Sequence, residues 1–129
     1  LASDSGVKIS LIIRGICCLY PQRKNLSENI KVISIIGHFL EHSRIFWFCN
    51  NGDNEVFIGS ADWMRRNLDR RIEAVTPIED YELKSKIYSL LQTYIKDDYF
   101  SWIMKDDGSY SKYKLDSSDN RSQIDLIEK

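Results

Sequence analysis

Three stretches of the sequence carry side chains suited to an anion. His42-Ser43-Arg44 precedes an apolar run, Gly59-Ser60-Ala61-Asp62 ends a second, and Arg14-Gly15 follows a third. Alternation along an extended chain puts His42 and Arg44 on one side. A turn at Asn51-Gly52 between the two later runs would return Ser60 towards the start of the first. An imidazole, a guanidinium and a hydroxyl are therefore expected to converge, and Arg14 is expected to join them at a common anion pocket. Phosphoryl transfer needs positive charge on the non-bridging oxygens and a proton carrier near the attacking or leaving atom. Arginine supplies planar forked donors, and histidine changes charge near neutral pH.

Each residue also has a plainer reading. Arg14 equally suits an ion pair with Glu41 or Asp62, Arg44 suits a hairpin-edge charge, and Ser60 suits a strand end. His38 has no supporting motif and is expected at the solvated surface. The run from Arg65 to Arg71 is basic but interleaved with Asp69 and flanked by Asp62 and Glu73, so a self-paired face is its default, with Arg70 or Arg71 a candidate to face the cleft. Phe46, Trp47, Phe48 and Trp63 read as core, and Cys17, Cys18 and Cys49 as small apolar fillers.

Several elements must position these groups. Val7 to Ile13 is almost continuously apolar and β-branched, which predicts a central strand covered on both faces with Arg14 at its carboxyl end. Residues 28 to 41 predict an extended start and then a helix from about Ile33 to Glu41, because Ile33, Ile36, Phe39 and Leu40 share helical spacing. Arg44 to Cys49 and Glu55 to Ser60 predict an antiparallel pair. Arg70 to Thr76 predicts a strand ending at Pro77, and Asp80 can cap a helix carrying Leu83, Ile87, Leu90, Leu91 and Tyr94. Ser101 to Leu115, broken at Asp106-Asp107-Gly108, predicts a terminal hairpin, and 116–129 a polar, unstructured tail. The fold class expected is α/β, a mixed sheet flanked by helices.

Composition narrows the function. With 129 residues and 43% hydrophobic content, one packed core is the expectation. Eighteen basic against nineteen acidic residues give a net charge of -1, so no global field favours nucleic acid or an anionic membrane. No apolar run approaches the roughly 20 residues of a membrane helix, and the N-terminus lacks a basic-then-apolar signal pattern. Three cysteines, two of them adjacent, argue against a disulfide framework and, with two histidines, show no zinc spacing. These features suggest a cytoplasmic location, at most peripheral at the inner face of the membrane. The start at Leu1 with the polar run to Gly6 suggests a piece of a longer polypeptide.

The order His42-x-Arg44 and later Gly59-Ser60-x-Asp62 resembles the phospholipase D signature, with Arg44 in place of lysine, Asp62 in place of asparagine, and a hairpin about three residues longer than usual. A wider resemblance is more specific. Leu11-Ile12-Ile13-Arg14-Gly15-Ile16-Cys17-Cys18-Leu19, Leu26-Ser27-Glu28-Asn29-Ile30, Phe39-Leu40-Glu41-His42-Ser43-Arg44-Ile45 and Ser60-Ala61-Asp62-Trp63-Met64 resemble polyphosphate kinase, in that family's order, from about Val7 to Ile95.

The resemblance implies a C-terminal, phospholipase D-like catalytic domain, here residues 1–115. The parent enzyme would reversibly move the terminal phosphoryl group of ATP onto inorganic polyphosphate through a phosphohistidine. It further implies that Arg14 and His42 contact nucleotide phosphates, with Arg44, Ser60 and Arg71 as additional phosphate-binding candidates. The phosphorylated histidine and the Mg2+-associated arginines would lie in a preceding domain. Implied partners are ATP and ADP, polyphosphate, other domains of the same chain and a second copy in a homo-oligomer. Two other classes stay open: a phospholipase D-type phosphodiesterase half with His42 as nucleophile, and a nucleic-acid-binding module using the arginine cluster.

Overall fold

In a computed structural model, residues 1–114 and 119–128 are described. Where composition suggests one packed core, they fall into two compact units: Leu1–Glu41 with the chain from Leu91 onward, and His42–Leu90. Each has its own sheet. The architecture is α/β, as expected.

The first unit holds a mixed sheet of β1 (Ile9–Ile12), β2 (Ile30–Ile35), β6 (Ser101–Met104) and β7 (Tyr110–Lys112), in the order β1-β2-β6-β7. β1 pairs parallel to β2, while β2–β6 and β6–β7 are antiparallel. The expectation of a central first strand is corrected here: β1 is at the edge of this sheet, and β2 takes the buried place. Val32 and Ile33 are both 0% exposed, with Ile35, Tyr94, Phe100 and Met104 completing the core. Removing most of the Ile33 side chain would cost about 2–5 kcal/mol.

The expected helix from Ile33 to Glu41 is absent, and this too is a correction. Ile33 to Ile35 continue β2, paired with Ile103 to Ser101, and residues 36–44 run without regular structure. The helical spacing was coincidental, because the face it would have formed is not buried: Ile36, Phe39 and Leu40 are exposed. β-branched residues at 32, 33 and 35 instead fit the pleated, doubly covered strand.

The turn in the β6–β7 hairpin lies at the predicted Asp106-Asp107-Gly108, with Gly108 at φ 85°. Beyond it, the tail expected to be unstructured contains α3 (Ser122–Asp125), with Ser122 and Gln123 buried; the boundary at 115/116 falls outside the described residues. The reason is local. Asp97, 0% exposed, accepts from Ser122 N at 2.8 Å, from Ser122 Oγ at 2.6 Å and from Phe100 N at 2.7 Å. A buried carboxylate with three donors is satisfied, and it ties a polar segment down without apolar area.

The second unit holds an antiparallel sheet of β3 (Ile45–Phe48), β4 (Glu55–Gly59) and β5 (Val75–Pro77), in that order. The β3–β4 connection is the predicted one: Asn50, Asn51 and Gly52 all have positive φ, which asparagine and glycine tolerate best. β5 is shorter than the strand expected from Arg70, because residues 65–70 form a helix, α1 (Arg65–Arg70), instead. α2 (Tyr81–Lys96) begins where Asp80 Oδ1 accepts Leu83 N at 2.8 Å, the predicted cap. Its residues up to Leu90 belong to this unit.

Candidate functional site

In the first unit, Ile13 N donates to Ile33 O at 2.8 Å, extending the parallel ladder by one residue past β1. Arg14 follows at the carboxyl end of the strand, half-buried, as the sequence predicts. Its Nη1 donates to Glu41 O at 2.9 Å, the carbonyl of the peptide that joins Glu41 to His42. The same loop is braced by Gln123, whose Nε2 donates to Phe39 O and to Glu41 Oε1, each at 2.7 Å, while Phe39 N donates to Gln123 Oε1 at 3.0 Å. Gly37 makes room for this: a Cβ there would come 2.2 Å from Gln123 Oε1. Sequence reasoning missed Gln123, since nothing in a polar tail distinguishes one amide; Gly37 was the available signal. His38 is exposed, with its ring edge-on to Phe100 at 5.5 Å between centroids.

In the second unit, His42 is exposed and Arg44 lies against it. Arg44 Nη1 is 2.6 Å from Nδ1 and donates to His42 O at 2.9 Å, and Nη2 is 3.2 Å from Nε2. On its other side Arg44 Nε bonds Asp62 Oδ1 at 3.2 Å, with the Arg44 side chain 16% exposed. Asp62 is fixed in turn, because buried Asn67 donates from Nδ2 to Asp62 O at 3.0 Å. The predicted meeting of imidazole and guanidinium is thus present within this unit, and it includes a carboxylate.

Ser60 has other partners. Its hydroxyl donates to Glu73 Oε2 and accepts Ala74 N at 3.0 Å, joining the end of β4 to the approach to β5. Arg71, expected to open a strand, is the exposed residue after α1, with extended backbone at φ -125° and ψ 154°. Arg65 pairs with Asp69 at 3.1 Å, one turn apart, as the self-paired reading of the basic run predicts. Trp63 is not core: it is 71% exposed, stacked on Phe46 with centroids 4.9 Å apart. Phe48 is also exposed, whereas Phe46 and Trp47 are half-buried.

Imidazole and guanidinium are chemical groups able to engage phosphate, and each unit presents at least one of them: Arg14 in the first, His42 and Arg44 in the second. Among the described residues, no group of three or more His, Cys, Asp or Glu side chains could hold a metal ion. Asp62 and Glu73 are engaged by Arg44 and Ser60. The described residues therefore do not fit a magnesium site of their own. Among the described residues, no helix is long and apolar enough to cross a membrane.

Residues 1–123 match the polyphosphate kinase C-terminal domain 2. The chain belongs to the polyphosphate kinase family. It is 57% identical over 128 residues to a polyphosphate kinase of Parasynechococcus marenigrum, a match covering 98% of this chain and 18% of that protein. Against the polyphosphate kinase of Pseudomonas aeruginosa the identity is 45% over 130 residues, 99% of this chain and 19% of the relative. The crystal structure of polyphosphate kinase from Porphyromonas gingivalis superposes with a TM-score of 0.91 at 41% identity, covering 98% of this chain and 20% of that one. The polyphosphate kinase domain described here thus spans about a fifth of its relatives' length. The resemblance read from the Arg14-Gly15, Glu41-His42-Ser43-Arg44 and Ala61-Asp62-Trp63 strings agrees with this membership.

Proposed function

We propose that this domain lends His42 and Arg14 to the phosphoryl-transfer site of an enzyme that reversibly moves the terminal phosphoryl group of ATP onto inorganic polyphosphate. The covalent carrier is a phosphohistidine on a preceding domain, not His42. His42 stabilises the oxygens of the migrating group or exchanges a proton with them, and Arg14 neutralises phosphate charge. ATP, ADP and polyphosphate are the substrates, and the remaining domains of the same chain, in a cytoplasmic homo-oligomer, are the partners. Magnesium travels with the nucleotide and is held mainly by those other domains.

The observation carrying this reading is the exposed His42 imidazole, braced by Arg44, inside a chain whose first 123 residues match the polyphosphate kinase domain. Arg14 supports it by its place within its own unit, just past the carboxyl end of β1, where the ladder ends with Ile13 N donating to Ile33 O.

The division of labour is tested with the full-length enzyme and ATP labelled at the terminal phosphate. The label is expected on a histidine outside this domain, and His42→Ala is expected to retain the residue that accepts it. Label recovered on His42 would contradict the assignment and would favour the phospholipase D-type chemistry, in which this histidine is the nucleophile.

A further inference from the structure

We infer that Arg44 is a positioning residue, which fixes the orientation of His42 with Asp62 as its anchor, rather than a phosphate clamp. The inference rests on the reading of His42 given above.

The donor count carries the argument. A guanidinium has five N–H groups. Here Nε is committed to Asp62 Oδ1 at 3.2 Å, and Nη1 reaches both His42 O at 2.9 Å and Nδ1 at 2.6 Å. Nη2 lies 3.2 Å from Nε2. A forked grip on a phosphate uses two neighbouring donors aimed at two oxygens. Arg44 has turned that fork onto the imidazole.

The contacts also hold the ring. Nη1 and Nη2 lie against the two ring nitrogens, so the guanidinium fixes how the imidazole is turned, whichever nitrogen accepts. A partner that orients the imidazole is a recurrent device of histidine sites. Asp62 balances the guanidinium charge, and the Asn67 bond to Asp62 O ties that carboxylate's backbone to α1.

A residue that works only through His42 has a definite kinetic signature. In the full-length enzyme, Arg44→Gln should lower kcat by about tenfold to a hundredfold, the range for lost orienting partners, while the KM for ATP stays within about twofold. Arg44→Lys should be similarly impaired, because an ammonium lacks the planar fork. In a His42→Ala background, Arg44→Gln should cause no further loss. Asp62→Asn, which keeps an oxygen acceptor and removes the charge, should lower kcat less and likewise lose its effect once His42 is alanine. Losses that multiply in the double variants, or a raised KM for ATP at unchanged kcat in Arg44→Gln, would overturn the inference and leave the role of His42 standing. Near-normal turnover in His42→Ala alone would instead remove the parent reading.

Discussion

Gln123 and Phe39 exchange two hydrogen bonds: the carboxamide oxygen of Gln123 accepts Phe39 N at 3.0 Å, and its amide donates to Phe39 O at 2.7 Å. The same amide reaches Glu41 Oε1 at 2.7 Å, so one side chain of α3 holds the stretch from Phe39 to Glu41 within this unit. Gln123 is 5% exposed, and neither Phe39 backbone group has a strand partner in its place.

Gln123→Ala should therefore remove three part-buried hydrogen bonds, two to the Phe39 backbone and one to the Glu41 carboxylate. The expected loss in this chain is about 1–3 kcal/mol by chemical denaturation. A change below about 0.5 kcal/mol would show that water replaces the amide without cost. Gly37→Ala should be at least as damaging, since its Cβ and the Gln123 amide cannot occupy the same place.

Asp97 is the second tie to the C-terminal segment. Asp97→Ala would orphan the Ser122 amide and hydroxyl together with Phe100 N, and hydrogen bonds to a charged acceptor contribute about 1.5–3 kcal/mol each in net terms. Faster amide exchange across 120–128 is the expected readout. Unchanged protection there would mean that α3 is held by something other than this carboxylate.

Arg14→Gln in the full-length enzyme should raise the KM for ATP and lower kcat/KM about tenfold or more, because a forked cation is lost at the phosphates. Arg14→Lys should recover only part of that loss. A variant with unaltered kinetics would return Arg14 to a purely structural role as the donor to Glu41 O.

One carboxylate gives a pH prediction. Asp107 in the β6–β7 turn is held below the usual aspartate value of 3.8, first by hydrogen bonds from Ser109 and then by the charge of Lys105. A depressed folded pKa means that the ionised form favours the native turn. Its contribution is present above the ordinary value and is lost as pH falls through the depressed one. Because the group is fully exposed, the effect should be small and confined to acid. An NMR titration of the Asp107 carboxyl should give a midpoint below 3.8, and a midpoint above it would contradict the turn geometry.

Elements whose determinants are local were legible in the sequence. The Asn-Gly turn, the Asp80 cap and the Gly108 hairpin each place a special residue where a special dihedral or an orphan amide requires it. What failed depended on distant partners. Val32 to Ile35 could be read as strand or helix, and the choice was settled by pairing with Ser101 to Ile103, almost seventy residues away. The same pairing moved β1 to the sheet edge, since a continuous apolar run says that a strand is covered but not in which order. α3 was invisible because polar composition conceals a segment held by hydrogen bonds to one buried aspartate. At the candidate site, the nearness of His42 and Arg44 followed from alternation, whereas the capture of Ser60 by Glu73 and the exposure of Trp63 did not.

The most direct test is the steady-state rate of polyphosphate formation from ATP by the full-length enzyme carrying His42→Ala. A drop in kcat of about a hundredfold or more, with thermal unfolding unchanged, is the predicted result, as expected for a lost contact to developing phosphoryl charge. Turnover within about twofold of the unsubstituted enzyme would contradict the account.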